Sequence, residues 1–534
     1  MQRQDVRPQA GKSALGAAAR MLAVGLAWAS LAVPASRPAS AADRAEPSSA
    51  APSRPGTVLR SADLKADAAL LREAYESLHP GLYRYRTRAE IDAAFDRLER
   101  EYDRDRTLGD AYLALARFTA YVQCGHTYPN FFNQGDAVRT ALLERPRLPF
   151  EFRWLDGRMV VTRSYAPELR AGTEVLAIDG RPAARILADL MPYARADGGN
   201  DAKRVSDLEV QGRGRYEAFD VYFPLVHARD ETQPFALEVR AAPGEPVHKL
   251  QVAAMAAKDR RVVEGTPRGE TNPWTYAEVE PGVGLLTMPT WALYNSKFGW
   301  GAYLDQLFAD LVARGTRDLI IDLRGNEGGD AVGDRILAHL LARDARAEPV
   351  ERRTRYRAVP AALRPHLDTW DPSFFDWGES AVDAGNGFYR LTKYDDGDVG
   401  GAVIKPKAPR FTGRVWVLVG AVNSSATFEF ASAVRRERVG TLVGQPTGGN
   451  QRGITGGAFF FLRLPRTGFE ADLPLIGQFP VTAQPVPDAG IEPDVYVQPR
   501  VEDIAAGRDA ELAAVMERIA AADKAANGPG ASLR

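Results

Sequence analysis

The first regular apolar spacing in the chain predicts helices. Between residues 61 and 78, Leu64, Leu71, Tyr75 and Leu78 follow one another at intervals of seven, four and three positions, which is typical of one buried helix face. Thr87 and Thr107 each stand before a further run of this kind, with an acidic residue three positions later, as in a capping box. Residues 58–147 therefore predict an N-terminal helical domain that ends in a polar turn.

The pattern changes to short apolar runs in the next segment, residues 148–265. Residues 183–190 predict a short helix, and the polar, glycine-rich stretch 194–214 predicts a mobile loop. The segment as a whole predicts a β-rich module of ordinary domain size. The predicted strands are residues 150–154, 159–162, 175–178, 222–226 and 235–239.

Strands and helices then alternate through residues 266–500, which predicts an α/β domain. The glycine-rich loop 324–330 and the turn Asn423-Ser424-Ser425 each follow a predicted strand, so we expect both at the same crevice. The insertion 346–407 is irregular and rich in aromatic residues; it is a lid, a substrate wall or a packed surface excursion. Residues 501–534 predict a C-terminal helix and tail. The predicted strands are 283–288, 319–323, 415–419 and 439–443, and the helices are 300–312, 331–341 and 426–438.

The N terminus has the three parts of a secretory signal peptide. Basic residues precede an apolar segment, residues 21–33, and Ala39-Ser40-Ala41 provides a cleavage signal, so residues 1–41 are expected to be removed. The apolar segment is short for a membrane span, although an uncleaved anchor helix is the alternative. Residues 42–57, rich in alanine, serine and proline, predict a disordered linker. We therefore expect a periplasmic or secreted bacterial protein without stable membrane insertion after cleavage.

Composition narrows the possible partners. The chain of 534 residues has 68 Lys and Arg against 69 Asp and Glu, a formal net charge of −1, which argues against nucleic-acid partners. The single cysteine, Cys124, excludes an intramolecular disulfide. No group of His, Cys and Asp residues has ligand spacing, so we predict neither a metal nor an organic cofactor. The oligomeric state is not indicated by the sequence.

A serine that stands where a buried strand passes into a helix is a candidate nucleophile. Ser424 and Ser425 have this position after strand 415–419, and the N terminus of the next helix offers unpaired N–H groups to an oxyanion. The alternative is that one of these serines only caps the helix. His126, in the polar turn after the N-terminal helices, is a candidate base, or else it caps a helix C terminus.

Several short motifs carry a resemblance to one family. The chain resembles the tail-specific, or carboxy-terminal processing, serine peptidases, in the branch similar to the tricorn core protease. DLRGNEGG at 322–329, NSSATFEFA at 423–431 and GQPTGG at 444–449 are specific as a set. Further motifs follow the family's order over nearly all of the mature chain: LHPGLY at 78–83, CGHTY at 124–128, GTEVLAIDG at 172–180 and GIEPD at 490–494.

The resemblance implies a multidomain α/β fold, with a crotonase-like α/β catalytic domain after the helical domain and a PDZ-like module. Such a module would receive peptide ends by strand addition. The resemblance also implies Ser425 as the nucleophile, with Ser424 as the second candidate. The N–H group of Ala426 and that of Gly328 or Gly329 would form the oxyanion hole.

One departure from the family pattern indicates the base. The processing branch uses a lysine after the PTxG turn, but residues 447–453 contain none, and a serine hydroxyl needs an adjacent base. The tricorn-like branch supplies a histidine from the N-terminal half, at the position that His126 matches. The expected partners that orient His126 are Thr127 and an acid of the VPDAGIEPD segment, Asp488 or Glu492.

We therefore predict a secreted serine-type endopeptidase that acts on peptide or protein substrates through Ser425 and His126. A non-catalytic peptide- or lipid-binding protein on the same fold is the first alternative. An esterase or amidase is the second, although the G-x-S-x-G elbow is absent around Ser425.

Overall fold

The computed structural model describes residues 54–262, 267, 269–346, 349–394 and 403–527. The predicted signal peptide and residues 42–53 of the predicted linker lie outside them. The last linker residues are described, and they pack against a helix: the carbonyls of Pro55 and Thr57 accept hydrogen bonds from the N–H groups of Gly109 and Leu108. Within the described ranges, no helix combines the length and the apolar character that a membrane span requires.

The N-terminal region is helical, as predicted. The Thr87 capping box is present: its side chain accepts from the N–H of Glu90, whose carboxylate accepts from the Thr87 N–H. Thr107 likewise accepts from the N–H of Asp110. The elements are β1 (Val58–Leu59), α1 (Ser61–Leu78), α2 (Arg88–Glu101), β2 (Arg106–Thr107), α3 (Leu108–Tyr121) and α4 (Asp136–Val138), followed by a π-helical turn at Arg139–Leu143.

The β-rich region that follows forms a sheet with the strand order β3-β4-β5-β7-β8, and β6 pairs with β5. Its strands are β3 (Phe150–Leu155), β4 (Arg158–Ser164), β5 (Glu174–Ile178), β6 (Arg181–Pro182), β7 (Phe235–Arg240) and β8 (Val247–Val252). Its helices are α5 (Ala183–Leu190), α6 (Asp201–Asp207) and α7 (Ala218–Val226), with 3₁₀ turns at Met191–Tyr193 and Ala257–Asp259.

The strand predicted at residues 222–226 is wrong, because these residues are the second half of α7. A short apolar run does not separate a buried strand from a buried helix. The decisive contact spans both halves of the helix: Phe219 and Phe223, four positions apart, stack with ring centroids 5.0 Å apart.

The mobile loop predicted at residues 194–214 is also wrong. The segment contains α6, whose N-cap Asn200 accepts a hydrogen bond from the Lys203 N–H, and Asp197 and Lys203 are buried within it. Val210 exchanges two backbone hydrogen bonds, of 2.8 and 3.3 Å, with Phe152 on the outer strand β3. The glycines misled the prediction because burial against the neighbouring parts of the protein supplies the order.

The α/β region is built on a sheet with the order β22-β19-β18-β11-β10-β9, in which only β9 runs antiparallel to its neighbour. The central strand β18 is buried in all but its first residue, as expected for a parallel strand covered on both faces. The elements are β9 (Thr275–Glu280), β10 (Val283–Thr287), α8 (Trp300–Ala313), β11 (Asp318–Asp322), α9 (Val332–Leu340), β18 (Arg414–Val419), α10 (Ser425–Glu437), β19 (Thr441–Gly444), β22 (Val495–Tyr496), α11 (Val501–Ala505) and α12 (Ala510–Asn527).

Helices cover both faces of this sheet. Residues of α8, α9 and α10 share one apolar core with it, and Val515 and Ile519 of α12 pack on the opposite face. Strands β11 and β18 are parallel neighbours, so their carboxyl ends meet at one edge. The predicted placement of the glycine-rich loop and the serine turn at the same crevice is therefore confirmed.

The insertion 346–407 is not an irregular excursion, because it adds strands to a third sheet. The order of that sheet is β14-β20-β21-β13-β16-β15, so strands of the insertion flank the long hairpin of β20 and β21. The elements are β12 (Ala345–Arg346), β13 (Val350–Thr354), β14 (Leu367–Asp368), β15 (Ala381–Gly385), β16 (Phe388–Leu391), β17 (Val403–Ile404), β20 (Thr455–Leu464) and β21 (Phe469–Pro480), with 3₁₀ turns at Arg364–His366, Pro372–Phe375, Gly378–Ser380 and Thr392–Tyr394.

Strand β18 fixes the candidate site, so truncating its core should lower global stability. Leu418 is fully buried, and we expect Leu418→Ala to lower the free energy of unfolding by about 3 kcal/mol through lost burial and a cavity. Urea denaturation followed by tryptophan fluorescence measures this loss. Val382→Ala, at a side chain that is 43% exposed, is the control and should leave the midpoint unchanged. Equal midpoints for the two variants would contradict the central role of β18.

Candidate active site

The turn between β18 and α10 is held by the side chain of Asn423, which is fully buried. Its amide donates to the carbonyls of Leu323 (2.6 Å) and Asn326 (2.9 Å), and its oxygen accepts from the Gly420 N–H (2.8 Å). One side chain therefore joins the serine turn to the loop that follows β11. These hydrogen bonds explain the asparagine of the NSSA motif, which holds the two loops together.

The two serines of the turn differ in conformation and in partners. Ser424 is buried, and its hydroxyl donates to the carbonyl of Glu327 at 3.1 Å. Ser425 is half-buried and has φ of +52°, a left-handed conformation that costs free energy for a residue other than glycine. Among the described residues, none forms a hydrogen bond with the Ser425 hydroxyl. Ser425 therefore presents the free hydroxyl.

The glycine-rich loop touches the serine turn through Gly328. A Cβ atom on Gly328 would lie 2.8 Å from the Ser424 carbonyl oxygen and 3.0 Å from the Ala426 nitrogen, so only glycine fits. The Gly328 N–H already donates to the Asn326 side chain at 3.0 Å. The N–H groups of Gly329 and Ala426 have no acceptor within the described part of the chain. Of the two predicted glycines, Gly329 has the available donor.

His126 lies in the turn after α3, half-buried, against Gly456 at the start of β20. A Cβ atom at Gly456 would come within 3.4 to 3.6 Å of the imidazole ring. The Nδ1 atom of His126 is buried without a hydrogen-bond partner in the described structure. Burial lowers the pKa of His126, and the nearby Asp197 carboxylate opposes that shift. The lowered pKa favours the neutral imidazole, the form that a base needs before it accepts a proton.

Asp197 is packed against the same turn. Its carboxylate accepts a hydrogen bond from the Gly125 N–H at 2.9 Å, directly before His126 in the chain. A Cβ atom on Gly125 would lie 2.9 Å from the second carboxylate oxygen, which explains the glycine of the GHT turn. Asp197 is buried, and its carbonyl accepts from the Asn450 amide at 3.1 Å.

The carboxylate of Glu327 joins the histidine turn to the serine turn. Arg195 donates to the Gly125 carbonyl (2.6 Å) and to Glu327 (3.2 Å). Lys203 donates to Glu327 (2.6 Å) and to the Val422 carbonyl (3.3 Å). Partial desolvation disfavours the charge of Glu327, whose side chain is 47% exposed, but Arg195 and Lys203 outweigh it and hold the pKa of this carboxyl well below its usual range.

The residues predicted to orient His126 lie elsewhere. The Thr127 hydroxyl is 2.8 Å from Nε2 of His79; because Nδ1 of His79 accepts from the Gly81 N–H, Nε2 carries the proton and donates to Thr127. Asp488 accepts hydrogen bonds from the Asn450 amide (2.7 Å) and the Gly199 N–H (3.0 Å). Through these two residues it holds the segment that contains Asp197 and does not contact His126 by a hydrogen bond in the described structure. Glu492 is exposed, and its carbonyl accepts from Arg435 of α10.

Sequence reasoning missed Arg195, Asp197 and Lys203 because they lie in the polar, glycine-rich stretch that predicted a loop. The combination of an aspartate, an arginine and a lysine in a segment without apolar periodicity gave no signal of its own. Glu327 lies inside the DLRGNEGG motif, from which only the glycines were assigned a role.

Comparison with known proteins gives a family match and a shared fold. Residues 282–497 match the model of peptidase family S41. The structure of mature CPAF complexed with lactacystin aligns with a TM-score of 0.57 and 16% identity, covering 86% of this chain and 97% of that one. Mature CPAF gives a TM-score of 0.56 at 16% identity, with coverages of 88% and 98%.

A photosystem II D1 C-terminal processing protease gives a TM-score of 0.35 at 17% identity, covering 83% of this chain and 96% of that one. No curated protein sequence matches the chain. At these identities, the CPAF alignments show a shared fold over most of both chains.

The contact between Gly125 and Asp197 generates a test of the histidine turn. Gly125→Ala should displace the Asp197 carboxylate or the turn, and a shift of about 1 Å at a catalytic group costs about 10²-fold in rate. The measurement is turnover of an unstructured reporter peptide. Gly135→Ala is the matched control, because no atom lies within 4 Å of a Cβ there. Equal turnover by both variants would contradict the packing described.

Proposed function

Because residues 282–497 of this chain belong to peptidase family S41, a family of serine peptidases, we propose that it hydrolyses peptide bonds with Ser425 as the nucleophile and His126 as the general base. The observation that carries this proposal is the strained, half-exposed Ser425 beside the unengaged N–H groups of Gly329 and Ala426. A serine that only caps a helix needs neither the strain nor the adjacent donors.

In the first half of the reaction, the Ser425 hydroxyl attacks the carbonyl carbon of the scissile bond and its proton passes to His126. The carbon–nitrogen bond then breaks, and His126 gives the proton to the leaving amine. In the second half, His126 takes a proton from water while the water oxygen attacks the acyl carbon; the bond from that carbon to the Ser425 oxygen then breaks, and His126 returns the proton to that oxygen. The low pKa of His126 keeps it available as a base at neutral pH.

The N–H groups of Gly329 and Ala426 stabilise the oxyanion that forms during each half. Fixed donors in a protected site are worth several kcal/mol because they need no reorganisation as the charge develops. The close packing of Gly328 on the serine turn fixes the position of the Gly329 N–H relative to the Ala426 N–H. Support for Gly329 over Gly328 comes from the Gly328 N–H, which Asn326 already engages.

Asp197 is the positioning residue for His126. Its carboxylate holds the Gly125 N–H and lies close enough to favour the imidazolium that forms when Ser425 loses its proton. This role replaces the one that the sequence suggested for Thr127, Asp488 or Glu492. The substrate class that follows is a peptide or protein chain. Release into the periplasm or outside the cell remains an expectation from the N-terminal sequence.

Exchange of each serine separately tests the nucleophile. We expect Ser425→Ala to lower kcat/KM by about 10⁴-fold or more, because the attacking oxygen is lost. Ser424→Ala loses only one hydrogen bond to Glu327 and should keep turnover within about tenfold of wild type. Cleavage of a mixed unstructured peptide library, followed by mass spectrometry, measures both. The reverse order of effects would assign the reaction to Ser424, and full activity of both variants would refute the proposal.

The pH profile tests the roles of His126 and Asp197. The acid limb of kcat/KM should lie below pH 6.5, the ordinary value for histidine, because burial lowers the pKa of His126. Asp197→Asn removes the charge that favours imidazolium, so the limb should move to still lower pH while kcat falls. Asp136→Asn, at a side chain that is 91% exposed, should leave the profile unchanged. A limb that stays in place or moves upward in Asp197→Asn would contradict the positioning role.

A further inference from the structure

A row of half-buried aromatic side chains begins at His126 and follows strand β20. The ring of Phe459 lies 5.8 Å from the His126 ring, centroid to centroid. Trp370, from the insertion, lies 5.9 Å from Phe459 and 5.9 Å from Phe461. The row therefore runs from the candidate base to a residue two positions further along the strand.

Phe459 and Phe461 are not core residues, whereas Trp370 packs against the core through the buried Phe374, with ring centroids 5.5 Å apart. Along β20, Ala458, Phe460 and Leu462 are fully buried, whereas Phe459 and Phe461 alternate with them and are half-buried. Side chains of a strand alternate between its two faces, so the sheet has one face in the core and another that carries the aromatic row. Trp370 is half-buried on that same face.

The backbone beside His126 is shaped to leave this face accessible. The register of β20 on β21 shifts between Gly456 and Phe459, and Gly457 has φ of +77°. Such a bulge redirects the strand and is common beside active sites. Because Gly456 has no side chain, the strand passes close to the His126 ring without covering it.

We propose that Phe459, Trp370 and Phe461 form a subsite for an aromatic or large aliphatic side chain of the substrate, close to the scissile bond. The inference rests on the proposed function, since it takes its occupant from the reaction. The continuity of the row with His126 identifies that occupant as the peptide being cleaved.

The chemistry of the row favours an apolar occupant. Three ring faces exclude water and offer no hydrogen-bond acceptor other than the π-systems themselves. A basic side chain placed over Trp370 is the competing possibility, since arginine also stacks on aromatic faces. A peptide with Arg at the tested position distinguishes an apolar occupant from a basic one.

The test uses binding without turnover. Fluorescein-labelled ten-residue peptides of Gly, Ser and Ala, with one Phe moved through each position, are titrated against the full chain carrying Ser425→Ala. For the best Phe position, the anisotropy titration should give a Kd about tenfold below that of the Ala peptide, the scale of filling one apolar subsite. Arg at the same position should give no such gain.

Trp370→Ala in the same background should reduce the Phe preference to about twofold or less, and Phe461→Ala should reduce it in part. The second variant keeps the test informative if Trp370→Ala destabilises the insertion. Phe388→Ala is the matched control, because this half-buried aromatic of the insertion packs on Phe479, away from the row. Its Phe preference should be unchanged.

A Phe preference that survives both substitutions, an equal gain with Arg, or no gain at any position would overturn the subsite. Cleavage by the unsubstituted chain then separates this proposal from the catalytic one. Cuts at a fixed distance from Phe support both proposals. A preference that depends on Trp370 in a chain that cuts nothing would remove the peptidase reaction and leave the peptide subsite standing.

Discussion

The ion pair between Lys203 and Glu327 is the interaction on which the candidate site depends. Lys203 is buried, and its ammonium has the Glu327 carboxylate and the Val422 carbonyl as partners. The Glu327 side chain is 47% exposed, but without it the buried Lys203 ammonium would keep only the Val422 carbonyl as a partner. With Arg195, this pair links the β-rich region, the glycine-rich loop and the turns of His126 and Ser425. A buried ammonium without partners is high in free energy, so Lys203 has few alternative arrangements.

The balance of burial and charge also supports the proposed role of His126 as a base. Burial among apolar and aromatic neighbours disfavours imidazolium, while Asp197 keeps the protonated form accessible during the reaction. A histidine without the aspartate would hold protons too weakly, and one without burial would be partly protonated at neutral pH. The lysine that the processing branch uses would have to be neutral in this position. Lys203, whose charge acts on His126, instead forms an ion pair with Glu327.

The sequence predicted well where local periodicity and local turns decide the structure. Helix 61–78 and the strand of residues 415–419 followed from apolar spacing, and their ends agree with the structure within a residue. Asn423, Ser425 and Gly328 stand in short motifs of the sequence, although the Asn423 side chain holds a loop 100 residues away in the chain. The proposed orienting group of His126, Asp197, did not follow, because it reaches the turn only through tertiary packing. A polar segment with glycines has no apolar periodicity. Its ordered structure depends on packing against the rest of the fold and cannot be predicted from the segment itself.

The segment that escaped prediction also changes the expectation for the β-rich module. Peptide reception by strand addition requires a free strand edge, and Val210 already pairs with Phe152 on the outer strand β3. The same segment carries Asp197 and Lys203, so a peptide that displaced Val210 would pull on the residues that position His126 and Glu327. Strand addition at β3 and an intact candidate site therefore compete for one stretch of chain. The aromatic row beside His126 offers the substrate a surface that needs no such displacement.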